Sequence, residues 1–365
     1  MIPQIQPWID QEELEQLRRV VESTYVTEHA LTAEFEARIR ELTGARHAIA
    51  MANGTVALYC CLKALDIGPG DEVIVPDMTF IATANAAIMA GATPVFCDIR
   101  PDTFCIDVKQ ANGLTTSHTK AIIPVHLYGQ SADMDAVQAF AATHSLKVIE
   151  DAAQGVGVRF KERHTGTFGD CGILSFYGNK TITCGEGGVI LTDDDELARI
   201  CYRLKNHGRD TKGIFVHEHI GFNFAFTEMQ AAIGIAQMNK LDRIIARKQA
   251  IRDRYVAELQ GLPRFQQVFI DERCEPVFWF TSFLSEDSDA LTGFLQDRGI
   301  QTRRFFYPLH LQPCYQGILE IQGDFAVSES VYQRSISLPS SYLLTDEEQG
   351  MVIQAIRDFY REHRD

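Results

Sequence analysis

With 365 residues, 45% of them apolar, the chain is long enough for one large hydrophobic core and a smaller companion. Forty-nine acidic side chains against 34 basic ones leave a formal charge of -15, which repels phosphate backbones and anionic lipid, and no Lys/Arg cluster reverses that balance locally. Nucleic acid and membrane are therefore not expected as partners. The opening "MIPQIQPWIDQEELEQL" lacks the basic end and apolar run of a secretory signal, and no later stretch is long enough to span a bilayer, so a cytoplasmic protein is expected.

From residue 46 to 192, short β-rich runs alternate with helical stretches. "RHAIAMA", "DEVIVP", "TPVFCDI", "KAIIPVHLY", "LKVIED", "CGILSFY" and "GGVILTD" read as strands. "NGTVALYCCLKALDI" follows the first, "TFIATANAAIMAGA" the second and "DMDAVQAFAATHS" the fourth, each rich in helix formers and too long for a turn. This order predicts an α/β fold, a mostly parallel sheet with helices on both faces. The stretch joining the last two strands is too short for a crossover helix, so one antiparallel pair is expected there.

From Thr227 to Pro263 the apolar residues Leu241, Ile244, Ile245, Ile251, Tyr255 and Leu259 keep helical spacing, and Gly261 with Pro263 supplies a stop. One long helix is predicted to lead out of the first domain. Beyond it come a strand ("VFWFTSFLS"), a helix ("DALTGFLQDRGI"), a loop ("RRFFYPLHLQPCY") and a terminal helix opened by a Thr345/Glu348 capping box. The expected division is a large domain over 1–245 and a small α+β domain over 246–365, tightly packed, with the N-terminal segment a candidate to join the small one.

Nine cysteines without a C-x-x-C pair read as reduced thiols, mostly buried. His217, Glu218 and His219 in "VHEHI" lack a further ligand nearby in sequence, so a solvated loop is expected and no metal site.

Three features converge on the carboxyl rim of the sheet, where open parallel sheets collect ligands. "AMANGTVAL" passes from strand to helix through Gly54 and Thr55, whose backbone N–H groups and helix dipole suit a phosphate. "VIEDAAQ" ends a strand on Glu150 and Asp151, and a carboxylate there suits a cationic ring nitrogen. "SFYGNKTITCGEGG" sets Lys180 among small and neutral residues that favour a deprotonated amine, able to condense with an aldehyde. Phosphate, ring cation and aldehyde together describe pyridoxal 5'-phosphate. Taken singly, each feature has an ordinary use, as an N-cap, a turn former or a surface lysine.

Together with "GFNFAFTEMQAAIG" and "FYPLHLQPCY", these stretches resemble the DegT-type sugar aminotransferases over nearly the whole chain. The resemblance implies a fold-type I, aspartate aminotransferase-like enzyme dependent on pyridoxal 5'-phosphate. It further implies that Lys180 is the Schiff-base lysine and Asp151 the partner of the pyridine nitrogen. By the same resemblance Phe80 stacks on the cofactor, Gln154 lies by its ring or phenolic oxygen, and Ser175 with Gly54 and Thr55 binds the phosphate. Asn223 is implied to reach in from the second subunit of a homodimer with shared sites. Phe222, Phe224 and Phe226 alternate about it, so an extended segment would press one aromatic face on a neighbour. Core packing, turns and loop hydrogen bonds remain the alternatives for Phe80, Gln154, Ser175 and Asn223 on residue type alone. Ala52 stands where a serine often precedes the asparagine of this turn, which removes one side-chain contact.

The implied reaction moves an amino group from L-glutamate to a nucleotide-linked keto sugar. The motifs look most like the perosamine synthase branch, which aminates C4 of GDP-4-keto-6-deoxy-D-mannose for bacterial surface polysaccharides such as the O-antigen of lipopolysaccharide. Branches acting on dTDP- or UDP-linked sugars, on C3 ketones, or on sugars without a nucleotide, stay open. Arg303, Arg304 and His310 are the residues expected to meet the diphosphate or a sugar hydroxyl; surface ion pairs are the alternative for the arginines. A C3-dehydratase of this fold is implied to carry histidine in place of Lys180. A non-catalytic regulator is a rival of another class, but no helix-turn-helix or basic face accompanies the chain. "GVGVRF" lacks the G-x-G-x-x-G of a dinucleotide enzyme.

Overall fold

The computed structural model describes residues 1–210, 213 and 215–363. Helices α1 (Gln11–Ser23) and α2 (Ala30–Thr43) precede the sheet. Strand and helix then alternate through β1 (His47–Met51), α3 (Gly54–Ala64), β2 (Glu72–Pro76), α4 (Ala82–Ala90), β3 (Thr93–Cys97), α5 (Val108–Leu114), β4 (Thr119–Ile122), α6 (Met134–His144) and β5 (Lys147–Asp151). The short strands β6 (Arg159–Phe160) and β7 (Arg163–His164) lead to β8 (Cys171–Ser175), β9 (Gly188–Thr192) and α7 (Asp195–Lys205).

The seven main strands form one sheet in the order β1-β9-β8-β5-β4-β2-β3. Only β9 runs against its neighbours, antiparallel to β8 on one side and to β1 on the other. The expected antiparallel pair is thus doubled, because β1 docks beyond β9 at the sheet edge. Strand β4 stops at Ile122, shorter than the run "KAIIPVHLY", since Pro124 has no N–H for the ladder. Side chains alternate between two cores as a pleated strand requires. Ile49, Val75, Ile149, Ile173 and Ile190 face α3, α4 and α7, whereas Ala50, Leu174, Val189 and Leu191 face α2 and α8 (Glu228–Leu259).

Helix α8 is a single run of 32 residues, opened by a Thr227/Gln230 capping box. It is tied to α1 by Lys240, whose Nζ is buried and donates to Asp10 (2.6 Å) and to Glu13 (2.8 Å). Glu228 in its first turn accepts the backbone N–H groups of His29, Leu31 and Thr32, satisfying the start of α2.

After α8 come β10 (Phe265–Gln267), β11 (Cys274–Glu275), β12 (Thr281–Ser285), α9 (Ser288–Asp297), α10 (Ala326–Arg334), β13 (Ser335–Leu338) and α11 (Asp346–Glu362), the last with the expected Thr345/Glu348 box. Strands β10, β12 and β13 form a three-stranded antiparallel sheet over a separate core that includes Ile251, Tyr255, Leu291, Ile336 and Phe359. Ile2 joins that core, and its strand-like bridge to Ile300 holds the N-terminus there. All nine cysteines are free thiols, eight of them buried. Among the described residues no helix is long and apolar enough to cross a membrane, and no group of three His, Cys, Asp or Glu can hold a metal.

One turn locks the C-terminal region onto the large sheet. Gly129 has φ +87°, its carbonyl accepts from Val277 N (3.1 Å), and a Cβ on it would overlap the Val277 carbonyl. Gly129→Ala therefore combines backbone strain with a clash that only movement of the 277–279 segment relieves, and should cost on the order of 4 kcal/mol or more. Gly113→Ala, in α5 with open space around it, should be stabilising by about 0.4–1 kcal/mol. Urea unfolding followed by circular dichroism distinguishes the two; equal midpoints would refute the locking role of the Gly129 turn.

Candidate active site

A cavity of about 470 Å³ opens at the carboxyl ends of β1, β2, β5 and β8. Gly54, Thr55, Phe80, Asp151, Gln154, Ser175, Lys180 and Arg303, all singled out in the sequence, line it. Asn223, Arg304 and His310 do not.

Asp151 is the last residue of β5 and is 4% exposed. Its carboxylate accepts from the Thr83 hydroxyl (2.7 Å) and from Ala153 N (3.1 Å), two neutral donors, with no ion pair among the described residues. A buried carboxylate so placed can hold a cationic N–H. Glu150, one residue earlier, points to the opposite face. It accepts from Gly166, Phe168 and Gly169 N and pairs with buried His126 (2.9 Å), so it serves the fold.

Lys180 lies in the link between β8 and β9, half-buried, with its Nζ 4.1 Å from the centre of the Trp279 ring. Burial lowers its pKa to about 8, against the field of Asp151, which raises it; Arg303 lowers it further. Relative to an ordinary lysine, the neutral amine is enriched on the order of a hundredfold at neutral pH.

At the other end of the cavity, Asn53 caps α3 by accepting from Val56 N (3.1 Å), and the first N–H groups of the helix have no intrahelical partner. Ser175 ends β8 directly beneath. A Cβ on Gly54 would lie 3.4 Å from the Ser175 Cβ, in van der Waals contact, so hydroxyl and helix end lie close enough to form one anion cradle. Phe80 is 55% exposed, with its ring 5.8 Å from Phe306, and presents an open aromatic face. Gln154 accepts from Tyr128 N (2.7 Å), which leaves its amide N–H groups for the cavity. Arg303 makes backbone hydrogen bonds in both directions with Ser337, and no carboxylate among the described residues pairs with its guanidinium. Anion cradle, buried carboxylate, near-neutral amine and open aromatic face fit pyridoxal 5'-phosphate.

The remaining sequence candidates lie elsewhere. Arg304 is paired with Asp289 and packs over Tyr332. His310 has both ring nitrogens engaged, with Asp77 (2.8 Å) and Glu329 (3.1 Å), and stacks on Phe325. Burial works against its charged form, but those two carboxylates outweigh it and raise the pKa. Asn223 is exposed, on a backbone bridge to Asn206. The alternating phenylalanines around it do not share one outer face. Phe226 is fully buried against Phe35, and Phe222 and Phe224 stack on each other beside Tyr59 of the same chain. His217, Glu218 and His219 are exposed, as the loop reading expects.

Three contributors escape a reading by sequence. Thr83 sits in a stretch legible only as helix, and Phe306 in a loop. Trp279 falls in a run read as strand, but the strand begins only at Thr281; the indole N–H instead donates to Asn179 O (2.6 Å), beside Lys180.

The profile of the DegT/DnrJ/EryC1/StrS aminotransferase family matches residues 7–357. A GDP-perosamine synthase of Caulobacter vibrioides is 38% identical over 357 residues, 96% of each chain. A pleiotropic regulatory protein of Geobacillus stearothermophilus is 39% identical over 333 residues, 90% of this chain and 89% of the other. The crystal structure of S. venezuelae DesV in complex with a ketimine intermediate superposes with a TM-score of 0.91 at 35% identity, over 96% of this chain and 94% of that one. With the cavity described above, these similarities place the chain in the DegT/DnrJ/EryC1/StrS aminotransferase family, as a sugar aminotransferase dependent on pyridoxal 5'-phosphate.

Proposed function

We propose that the chain transfers the amino group of L-glutamate to C4 of GDP-4-keto-6-deoxy-D-mannose, a perosamine synthase-like reaction of bacterial polysaccharide synthesis in the cytoplasm. The observation that carries the transaminase chemistry is the pairing, in one cavity, of the near-neutral amine of Lys180 with the buried carboxylate of Asp151. Similarity over 96% of each chain to a GDP-perosamine synthase supports the choice of sugar. The name of the Geobacillus relative keeps a regulatory reading in play, against which Lys180 and the intact anion cradle count. In this reading residues 1–245 hold the cofactor and 246–365 form the companion unit that supplies Trp279 and Arg303.

Pyridoxal 5'-phosphate, when bound, supplies an aldehyde that captures amines and a ring that takes up the electron pair of a carbanion. Gly54, Thr55 and Ser175 hold its phosphate, Phe80 its ring face, Gln154 its ring oxygen, and Asp151 keeps its ring nitrogen protonated. Lys180 Nζ takes up the proton that leaves the donor α-carbon, and its lowered pKa makes the free amine available as the base. Arg303, without an acidic partner among the described residues, receives the anionic groups of donor or sugar nucleotide. Arg304 and His310 have their polar groups satisfied within the chain, so their part in binding the sugar is a proposal that requires those pairs to open. Asn223 completes the phosphate site of the partner subunit in a homodimer.

Incubation with glutamate and a panel of nucleotide-linked 3-keto and 4-keto sugars, read by mass spectrometry, should give the GDP-linked 4-amino product; amination of a dTDP- or UDP-linked sugar alone would replace the substrate, and no product from any would favour the regulatory reading. Borohydride should fix the cofactor on Lys180 by peptide mapping. Because the amine must lose its proton to capture the aldehyde, the rate at which cofactor-free protein regains its colour should rise about tenfold per pH unit up to about pH 8 and then level. Asp151→Asn should keep the cofactor yet slow turnover by roughly a hundredfold or more, and a near-native rate would show that the ring nitrogen has another partner. Mixed under subunit exchange, inactive Lys180→Ala protein and inactive Asn223→Trp protein should regain about one quarter of wild-type activity, since about half the dimers are mixed and each has one intact site of two. No recovery despite demonstrated exchange would end the shared-site proposal.

A further inference from the structure

Lys248 is the one lysine of α8 that is buried, 3% exposed, without a carboxylate partner among the described residues. Its Nζ donates to Trp279 O (3.0 Å) and Ser340 O (3.1 Å). The two segments it meets, 276–285 and 335–345, carry no charged side chain. The nearest cations along α8 are engaged elsewhere: Arg247 with Leu344 O and Asp346, and Arg252 over the Phe278 ring. An apolar side chain would fill this space without the cost of burying an amine, but it would leave two carbonyls unsatisfied.

What those carbonyls hold gives the residue its consequence. Trp279 precedes β12, outside the sheet ladder, so its backbone is fixed by this donor rather than by strand pairing. Its indole N–H donates to Asn179 O, and its ring face lies 4.1 Å from Lys180 Nζ. Ser340, the second acceptor, takes the N–H of Thr281 on its hydroxyl (3.2 Å), which braces the start of β12. A chain of direct contacts thus runs from Lys248 through Trp279 to Lys180. We propose that Lys248 is a positioning residue for Lys180, acting through Trp279 by holding the indole over the amine and keeping water from it.

Burial also drives the Lys248 amine down to about 7, consistent with two neutral acceptors and no anion. A neutral amine has two N–H groups for two carbonyls, so the contact survives the loss of its proton.

The inference rests on Lys180 being the working amine, but its readouts are physical and separate from turnover, so its failure and the failure of that reading are distinct results. In full-length Trp8→Phe protein, Trp279 is the sole tryptophan. Adding Lys248→Met should at least double iodide quenching of its fluorescence. In protein freed of cofactor, the pH midpoint for modification of Lys180 by an amine reagent, located by peptide mapping, should rise by about one unit as water reaches the amine. The decisive arm is a double-mutant cycle with Trp279→Leu. The midpoint should rise in Trp279→Leu as well, and Lys248→Met should add nothing in that background. Unchanged quenching and midpoint in Lys248→Met, or the same shift with and without Trp279, would overturn the proposal. Should Lys248→Met lack a cooperative melt, Lys248→Ala, which removes the donor and leaves room for water on both carbonyls, takes its place in the quenching and midpoint measurements and in the cycle, with the same outcomes supporting or overturning the proposal.

Discussion

The pleat of strand β5 forces Glu150 and Asp151, adjacent in sequence, onto opposite faces of the sheet, and the rest of the site is arranged around that separation. Neither carboxylate can be left in an apolar layer without donors. Glu150 is met by three backbone N–H groups from the 166–169 turn and by His126, which fastens the loop after β7 under the sheet. Among the described residues Asp151 is met by only Thr83 and Ala153 N, on the side where α3 and α4 begin. The same pleat therefore gives one acid to the fold and leaves the other on the cavity wall, the carboxylate proposed to meet a ligand cation.

The anion cradle follows from the same geometry. Strands β1 and β8 are separated in the sheet only by β9, so the turn after β1 and the end of β8 come close, and Ser175 lies under the start of α3. The two anchoring points proposed for the cofactor, a helix N-terminus and a buried carboxylate, are thereby set on rigid strand ends rather than on loops.

Among the described residues three lysines are buried, in three ways, and the differences sort them by role. Lys240 is met by Glu13 and Asp10 and ties α1 to α8. Lys205 donates to Ala50 O and pairs with Glu28 (3.0 Å), joining α7 to the first strand. Lys248 has carbonyls alone, on the segment that carries Trp279. The two carboxylates on Lys240 outweigh burial and raise its pKa, whereas burial alone pushes Lys248 down, as it does Lys180 against the opposing field of Asp151.

The alternation of strand and helix, the parallel sheet, the long helix α8 and the capping boxes are local patterns, and so they were legible in the sequence by itself. The rim residue Ser175 was reached only through the family resemblance, whereas Gly54, Asp151 and Lys180 were legible too, because each stands at or just beyond a strand end. Position in the sheet was not: β1 lies beside β9, a pairing between residues about 140 apart that no local pattern encodes. Nor was the use of Trp279, Thr83 and Phe306, whose side chains enter the cavity region or reach its carboxylate only after distant segments pack. The same limit explains Arg304 and His310, which share a loop with Arg303 yet turn to Asp289 and Asp77, while of the three only Arg303 faces the cavity. Sequence determined the elements and the chemistry available at their ends, since these depend on neighbours along the chain; only tertiary structure decided which ends meet and which charges stay unpaired, since these depend on contacts between segments far apart in it.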